Sequence, residues 1–349
     1  MKTEHTIIVR FSAMGDVAMT VPVVYALAKQ YPKLRITVVS RPFAKSFFYH
    51  IADNVKFIEV DLKGEYKGFA GLNRLYHRLS AKHPTAVADF HNVLRTKFLR
   101  LRFALSGYKT ASIDKHKKGK RKLCRKENKV FVQQPTSFQN YMDVLEKLGF
   151  PVQPDFKTIF FNGGNDLTTL PNIIGGKKQG ETWIGIAPFA AHGGKMYPKE
   201  KMEEVVRLLT TQYSNLRLFF FGGGKEEKEI LNAWATRYRN CICASDNVKG
   251  LQQELILMSH LDTMISMDSA NMHLASLVGT RVLSIWGATH PYCGFLGWNQ
   301  SPEDVVQNNQ LNCRPCSVFG NKPCHRGDFA CMNTIEPEEI VRRLNLPQQ

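Results

Sequence analysis

Long hydrophobic runs are missing from the 349-residue sequence, since no stretch reaches the roughly 18 apolar residues that a membrane-spanning helix needs. Acidic residues are few: 30 Asp and Glu stand against 47 Lys and Arg, and the net charge is +17. The spaced Gly-x-Gly-x-x-Gly fingerprint of dinucleotide-binding folds is also absent, which argues against a dinucleotide-dependent oxidoreductase. We therefore expect no membrane span and partners that are anionic, such as phosphorylated substrates or lipids.

The amino terminus contains one candidate signal peptide, with an apolar stretch at 17–27. Gly15 and Asp16 lie just before this stretch and interrupt the apolar region, and the apolar residues 7–9 are typical of a strand. We therefore expect a retained N-terminus and a cytoplasmic protein.

Strand-like and helix-like segments alternate through both halves of the chain. Apolar runs such as 6–11 and 183–188 are followed by helical patterns, which predicts right-handed βαβ units and parallel sheets. Polar, Gly-rich stretches at 162–165 and 174–180 mark a linker. The sequence thus predicts an N-terminal domain at 1–170 and a C-terminal domain, with a Cys-rich tail and a final helix, at 171–349.

The first predicted strand leads into a turn that carries a carboxylate. Gly15 permits a tight turn, and Asp16 stands where a helix N-cap belongs. Open α/β sheets bind ligands beyond the carboxyl ends of their strands. Asp16 is therefore either only a cap or a functional carboxylate. His91 follows the fourth strand and is either a ligand contact or a turn residue without a role.

The second half has anion-binding features at its own strand ends. The glycines at 222–224 let a ligand approach the backbone closely. A helix starts near Asp268 and Ser269, and its free N–H groups and dipole suit a pyrophosphate, next to which Lys195 would supply a positive charge. Two such domains facing a cleft suit an enzyme that joins a nucleotide-activated group to an acceptor. Asp16 would then deprotonate the acceptor hydroxyl.

Positive charge is concentrated in one tenth of the chain. Residues 95–129 contain 14 Lys and Arg against two acids. Residues 94–105 predict a basic helix, whereas the run at 115–122 is either a solvated, mobile loop or a landing site for anionic lipid or an acidic acceptor. We expect no nucleic-acid partner, because no nucleic-acid-binding motif accompanies the charge. The candidate acceptor or lipid contacts are Lys117, Lys118, Lys120, Arg121 and Lys122.

Four of the eight cysteines cluster near the C-terminus, at Cys313, Cys316, Cys324 and Cys331. In a cytoplasmic protein this spacing favours a metal over a disulfide. However, only one Cys-x2-Cys pair is present, whereas a zinc ribbon has two. A structural zinc ion, reduced packing thiols and a disulfide all stay open.

Four segments, in order along the chain, resemble glycosyltransferase family 9, the ADP-heptose:lipopolysaccharide heptosyltransferases of Gram-negative bacteria. Residues 11–17, followed by Pro22, are similar to the opening motif of that family, and 195–198 are similar to its Lys-x-Trp-Pro segment. Residues 267–275 resemble its Asp-Thr-Gly-x-x-His-x-Ala segment, and 286–291 resemble its Gly-x-Thr-x-Pro turn. The Cys-rich tail is also similar to tails in many members, so the resemblance covers nearly the whole chain.

The resemblance implies a GT-B fold, in which two doubly wound, Rossmann-like domains face a central cleft. It implies an inverting transfer without a required metal or other cofactor, with Asp16 as catalytic base. The expected donor is ADP-L-glycero-D-manno-heptose, and the expected acceptor is an anionic lipopolysaccharide-core glycolipid at the cytoplasmic face of the inner membrane. The expected donor contacts are Lys195, Asp268, Ser269, Ala270 and His273, and the expected nucleotide contacts are Gly222, Gly223, Gly224 and Glu227. His273 either contacts the donor or braces the loop from inside.

Three departures from the family pattern leave the donor open. Ser269 and Ala270 replace a Thr-Gly pair, and 189–191 replace small hydroxylic residues. Gly224 and Lys225 stand where several members have an acidic residue for the ribose, and Glu227 follows two residues later. A GT-B transferase with another nucleotide sugar is one alternative. A non-catalytic, basic protein that binds membrane surfaces is another.

Overall fold

The computed structural model describes residues 4–346. Residues 1–3 of the predicted N-terminal domain and residues 347–349 of the predicted C-terminal domain lie outside this range. The strands in this range are β1 His5–Val9, β2 Arg35–Ser40, β3 Val55–Glu59, β4 Ala86–Asp89, β5 Lys109–Ser112, β6 Thr182–Ala187, β7 Leu216–Phe220, β8 Cys241–Cys243, β9 Thr263–Met267, β10 Arg281–Ile285 and β11 Val305–Val306. The α-helices in this range are α1 Met14–Ala18, α2 Val21–Gln30, α3 Lys45–Phe48, α4 Gly68–Ser80, α5 Leu94–Leu105, α6 Lys117–Leu123, α7 Ser137–Leu148, α8 Lys199–Gln212, α9 Lys225–Arg237, α10 Ala244–Asn247, α11 Gly250–Ser259, α12 Ala270–Leu277, α13 Ala330–Asn333 and α14 Pro337–Arg343.

The chain folds into two compact units, and both of them are discontinuous in sequence. The first unit comprises the chain up to His116 together with Pro135–Ile159. The second comprises Lys117–Gln134 and the chain from Phe160 onward. The segment Lys117–Gln134 therefore groups with the C-terminal part of the chain, although it lies in the first half of the sequence.

The first unit is built on five parallel strands in the order β3-β2-β1-β4-β5. Every residue of β1 and of β4 is buried, as expected for central strands that are covered on both faces. The α4 and α5 helices pack against each other, and α7 packs against β4 and β5. Gly149 ends α7 in a left-handed conformation, with φ of 95°, which glycine adopts without steric cost.

The second unit is built on six parallel strands in the order β11-β10-β9-β6-β7-β8. Its core joins apolar residues of these strands to α8, α9 and α14, and both Trp183 and Trp286 are fully buried. The predicted alternation of strands and helices, and the parallel sheets that it implies, are confirmed in both units.

Two predicted elements differ from the structure. The helical pattern that follows the apolar run 6–11 is two helices, α1 and α2, and the Thr20 hydroxyl donates to the Val17 carbonyl at 2.7 Å where the chain bends. The basic run 115–122, for which a mobile loop was one of two alternatives, is largely the helix α6. None of the described helices is long and apolar enough to cross a bilayer.

Candidate active site

The first unit has a topological switch point between β1 and β4. From β1 the chain moves outward to β2 and β3 and then returns to pair β4 with the other side of β1. Ligands of open α/β sheets bind where the strand order reverses in this way. The segments that leave this edge are 10–16, after β1, and 90–92, after β4.

A buried arginine holds the carboxylate of Asp16 at this edge. The Arg10 Nη2 lies 2.7 Å from Asp16 Oδ2, and the Ala13 N–H donates to the same oxygen at 3.1 Å. The Arg10 side chain is only 7% exposed, whereas that of Asp16 is 33% exposed. Arg10 also donates from Nη1 to the Phe90 carbonyl at 2.7 Å and so connects the two segments of the switch point. The cation is thus enclosed, and the carboxylate is presented to solvent.

The prediction that Asp16 is a helix N-cap is wrong. The N-cap of α1 is Ala13, and Asp16 is the third residue of the helix. Because Ala13 has no polar side chain, the Asp16 carboxylate accepts the hydrogen bond of the N-cap backbone N–H. Asp16 therefore lies one turn deeper in the helix than predicted, at the same strand edge.

Tyr141 fixes the Asp16 backbone from the other side. Its hydroxyl donates to the Asp16 carbonyl at 3.1 Å, and its ring stacks on Phe90 with 4.7 Å between ring centroids. Burial raises the pKa of Tyr141, so the phenol stays protonated and remains a donor at neutral pH. The orientation of Asp16 therefore depends on both Arg10 and Tyr141.

His91 lies beside this loop and is neutral. Its Nδ1 accepts from the Phe11 N–H at 3.4 Å, and its Nε2 lies 3.5 Å from the Ser12 hydroxyl. Burial, and secondly the charge of Arg10, lower the pKa of His91 to about 3. Below the ring, Asp89 Oδ1 accepts from the backbone N–H groups of His91 and Asn92. His91 thus braces the loop that follows β1 as an uncharged imidazole.

The second unit has its switch point between β6 and β9. The chain proceeds from β6 to β7 and β8 and then returns to place β9 on the other side of β6. Lys195 lies in the segment after β6, and Asp268 directly follows β9. Their side chains form an ion pair, with 2.9 Å between Lys195 Nζ and Asp268 Oδ2. Here the acid is the enclosed partner, since Asp268 is 4% and Lys195 is 15% exposed.

Glycines from two distant segments pack closely against Lys195. A Cβ on Gly320, whose φ is +73°, would lie 2.6 Å from Lys195 Cγ. A Cβ on Gly194 would lie 2.7 Å from the Gly320 carbonyl oxygen. The Cys-rich tail therefore shapes the position of the lysine, a role that the sequence did not predict for Gly320.

Arg314 holds the turn after β10 in place. Its buried guanidinium donates to the carbonyls of Trp286, Gly287 and Thr289 at 2.6–3.1 Å. Burial lowers the pKa of Arg314 to about 10, which leaves the side chain cationic at neutral pH. The turn at 286–291 that resembles a family motif is thus fixed by a residue of the tail that the sequence analysis missed.

The start of α12 lies beside the Lys195–Asp268 pair. Ser269 is the N-cap, Ala270 is the first helical residue, and the Ser269 hydroxyl lies 3.3 Å from that of Ser266. His273 is buried within the helix. The structure therefore brings Lys195, Asp268 and the helix start to one strand edge.

The three glycines after β7 lie at the same edge, beyond the strand next to β6. The Gly222 N–H donates to the Ser245 hydroxyl at 2.6 Å, and the Gly223 N–H donates to Glu227 Oε2 at 2.6 Å. None of the three has a left-handed φ. A Cβ would collide only at Gly222, 2.8 Å from Leu231 Cδ1. Gly224 thus leaves open space in front of the backbone, whereas a Cβ on Gly223 would lie 3.5 Å from Oε2 of the anchored Glu227.

The basic helix α6 has one member that is not available to a ligand on the surface. Lys120 is buried, and its Nζ lies 4.1 Å from the centroid of the Phe295 ring. Its cation–π contact is a packing interaction within the second unit. The other four candidates, Lys117, Lys118, Arg121 and Lys122, are exposed.

All eight cysteines, including the four clustered ones, are free thiols in the structure. Cys313, Cys316, Cys324 and Cys331 line one small cavity with Arg314. Burial raises the pKa of the Cys331 thiol to about 11, so this sulfur is protonated. Within residues 4–346, no three His, Cys, Asp or Glu side chains are placed to hold a metal ion. None of the four clustered cysteines is disulfide-bonded in the structure.

Comparison with known proteins agrees with the geometry. A family model described as glycosyltransferase family 9 (heptosyltransferase) matches residues 72–323. The chain spans only 41–52% of the length of three Campylobacter heptosyltransferases, which are 24–25% identical over the matched segments. A longer match is to the lipopolysaccharide core heptosyltransferase OpsX of Haemophilus influenzae, 24% identical over 296 residues, which covers 81% of this chain and 79% of that protein.

Solved structures show the same fold. A glycosyltransferase family 9 protein from Veillonella parvula superposes with a TM-score of 0.74 at 18% identity and covers 99% of this chain and 97% of that one. The Escherichia coli heptosyltransferase WaaC, solved with ADP, superposes with a TM-score of 0.64 at 19% identity, over 86% of this chain and 92% of that one. The predicted GT-B type of fold, with two parallel-sheet α/β domains, is confirmed.

Proposed function

The chain belongs to glycosyltransferase family 9, and on that premise we propose that it is an inverting heptosyltransferase of lipopolysaccharide-core synthesis. The observation that carries the proposal is the Asp16 carboxylate, presented to solvent at the switch point of the first unit by the buried Arg10. A carboxylate held at such an edge can accept a proton from a bound hydroxyl group.

Asp16 is proposed to act as the general base. It takes the proton of the acceptor hydroxyl while the hydroxyl oxygen forms a bond to the anomeric carbon of the donor sugar. The bond from that carbon to the diphosphate breaks on the opposite face, and the diphosphate leaves with the electron pair. A single displacement inverts the anomeric centre. Arg10 holds the carboxylate in position by its 2.7 Å contact.

Lys195 is proposed to stabilise the leaving diphosphate. Its ammonium is held by the more enclosed Asp268, beside the start of α12 at Ser269 and Ala270. A fixed cation and the N–H groups of a helix start stabilise developing negative charge without a metal ion. We therefore propose that no divalent metal is required, so that transfer persists in excess EDTA. His273, buried in the same helix, would hold this segment from inside.

The donor is proposed to be ADP-L-glycero-D-manno-heptose, with its nucleotide on the second unit. The WaaC structure, which has the same fold, contains ADP. The open backbone at Gly224 permits close approach of the nucleotide, and Glu227, anchored at Gly223, would accept from its ribose hydroxyls. Another nucleotide sugar remains the second candidate, because Ala270 adds a Cβ at the helix start where the family has glycine.

The acceptor is proposed to be an anionic glycolipid of the lipopolysaccharide core, bound by the N-terminal domain at the cytoplasmic face of the inner membrane. The relatives that match this chain are lipopolysaccharide and lipooligosaccharide heptosyltransferases. The net charge of +17 suits a phosphorylated acceptor on an anionic surface. The exposed cations of α6, which belongs to the second unit, are separate candidates for contact with that anionic surface.

Isothermal titration calorimetry with ADP, GDP and UDP tests the donor site. We expect preference for ADP and a loss of at least tenfold in ADP affinity for Lys195→Ala, since a charge-assisted contact is worth roughly 1.5–3 kcal/mol. The exposed Lys199 provides the control, and Lys199→Ala should bind ADP like the wild type. Preference for GDP or UDP would change the donor but keep the reaction class. If no nucleotide binds and no sugar is transferred, the proposed function is wrong.

A further inference from the structure

The surface of α5 contains an apolar stripe of three exposed leucines and one half-buried phenylalanine. Leu94, Leu101 and Leu105 are 72%, 58% and 77% exposed, and Phe98, which lies between them in the same helix, packs against the core of the first unit. The intervals of four, three and four residues place all four on one face, within about 60° of the helix circumference. Phe69, an exposed residue of the neighbouring helix α4, lies beside Phe98 with 5.4 Å between ring centroids. We call these five residues the α5 ridge.

The leucines of the ridge lie on the side of the helix opposite to the core. The buried face of α5 consists of Thr96, Leu99 and Phe103, with Leu99 and Phe103 in the core of the first unit and Phe98 packed against its margin. These residues already anchor the helix to the unit. The exposed leucines of the ridge therefore contribute little to folding, and their exposure has a cost in water that a contact outside the chain would offset.

Positive charge borders the ridge on both sides, and α5 contains no acidic residue. At about 100° per residue, Lys97 lies on one side of the stripe and Arg95 and Arg102 lie on the other. Arg95 and Lys97 are exposed. Arg102 lies over the Tyr76 ring, 4.6 Å from its centroid. An apolar stripe with Lys or Arg on both sides is typical of helices that lie in the plane of an anionic membrane surface.

We propose that the α5 ridge docks the protein onto an anionic phospholipid bilayer, with its leucines among the acyl chains and its flanking cations at the headgroup phosphates. Charge complementarity selects this occupant. A second copy would bring cations of the same sign to the same face, on a chain that already carries +17. The inference rests on the proposed function for the reason why the protein meets a membrane, but the docking itself needs neither donor nor acceptor.

The ridge is a different surface from the basic helix α6. The exposed residues of α6 are charged, and its one large apolar residue, Leu123, is buried. Charge alone attracts a protein to a surface reversibly, whereas stable attachment takes a second, apolar contribution. The ridge combines both contributions in one helix.

The test is co-sedimentation of the full chain with vesicles of 30% phosphatidylglycerol in phosphatidylcholine, without donor or acceptor. We expect Leu101→Ser/Leu105→Ser to weaken partitioning at least tenfold, in salt at which the wild type is bound. Arg95→Gln/Lys97→Gln should weaken it severalfold on these vesicles only, and pure phosphatidylcholine should bind the wild type weakly. The matched control is Val132→Ser/Ile173→Ser, which removes two exposed apolar residues of the second unit and should change nothing.

Three outcomes would overturn the proposal. The leucine variant could bind vesicles like the wild type, while thermal melting shows that both proteins are folded. Neutralising Lys117, Lys118, Arg121 and Lys122 could alone abolish binding, which would assign the surface to α6. Sedimentation equilibrium could show wild-type oligomers that the leucine variant lacks, which would assign the ridge to a second copy. In each case ADP binding and transfer to a soluble acceptor would still report on the proposed function separately.

Discussion

The two units use the same edge of the same kind of sheet, yet they expose opposite charges there. In the first unit the cation of the ion pair is enclosed and the acid, Asp16, is a third exposed. In the second unit the acid, Asp268, is enclosed and the cation, Lys195, is the more accessible partner. An exposed carboxylate with a cation behind it is suited to accept a proton. An ammonium that is more accessible than the carboxylate behind it is suited to bind an anion, so the two proposed roles differ in which partner of the ion pair is enclosed.

The largest effect that would test this difference between the units is expected from Asp16→Asn, which removes the proposed base but preserves the shape of the side chain. We expect kcat to fall by about 10²–10⁴-fold, because that is the usual contribution of general base catalysis. Affinity for ADP should stay within about twofold, since the nucleotide is assigned to the second unit. Transfer assays with ADP-heptose measure the first quantity, and calorimetry measures the second. Asp53→Asn, at an exposed acid of the same unit, is the control. A variant with near-native kcat would contradict the role of Asp16.

Removing the enclosed cation of the first pair should cost stability as well as rate. Arg10→Gln takes away the contacts to Asp16 and to the Phe90 carbonyl, and we expect a loss of about 2 kcal/mol in the free energy of unfolding. The expected value is at the low end for broken ion pairs because Asp16 is partly solvated. Chemical denaturation measures it, and Arg41→Gln is an exposed control. If Arg10→Gln kept both the stability and the kcat of the wild type, the contacts of Arg10 would not be needed to hold Asp16 in position.

The support of the second pair can be tested at Gly320. In Gly320→Ala the new Cβ meets Lys195 Cγ in addition to the strain of a φ of +73°. We expect an ADP affinity about three- to tenfold weaker and a loss of about 1 kcal/mol in stability. Gly327 has a φ of +79° with no atom within 4 Å of its Cβ position, so Gly327→Ala reports the strain alone. Equal ADP affinities for the two variants would show that Gly320 does not position Lys195.

The smallest effect concerns the neutral His91. Its pKa is about 3 in the folded chain and about 6.5 when unfolded, so between these values the unfolded state binds more protons. The free energy of unfolding therefore falls as the pH drops below 6.5, by at most about 1.4 kcal/mol per pH unit from this group. His91→Gln should flatten this acid slope, measured by denaturation from pH 7 to 5, whereas His77→Gln, at an exposed histidine of the same unit, should not. An unchanged slope in His91→Gln would contradict the buried, neutral histidine.

Local patterns were sufficient to predict the strands, the parallel sheets and the candidate residues at their carboxyl ends, since apolar periodicity and turn chemistry are local properties. The pairings were not predictable in this way. Gly320 meets Lys195 across 125 positions of sequence, and Lys120 belongs to a run of charges but is buried against Phe295. Neither contact produces a periodic pattern of apolar residues in the sequence from which it could be predicted. The position of Asp16 was shifted by one turn, because the carboxylate of a third helical residue can replace a side-chain cap.

The grouping of Lys117–Gln134 with the second unit has a consequence for folding during synthesis of the chain. These 18 residues leave the ribosome before β6 exists, yet their partners include Tyr292, Phe295 and Arg314. The first unit must therefore fold while this segment still lacks its partners. The last helix of the first unit, α7, is synthesised only after the segment. A fragment cut at the predicted linker would contain Lys120 and Lys129 without the groups that they contact. Expression of either half alone is thus expected to give an incomplete fold, and the chain matures only when its C-terminal part has been made.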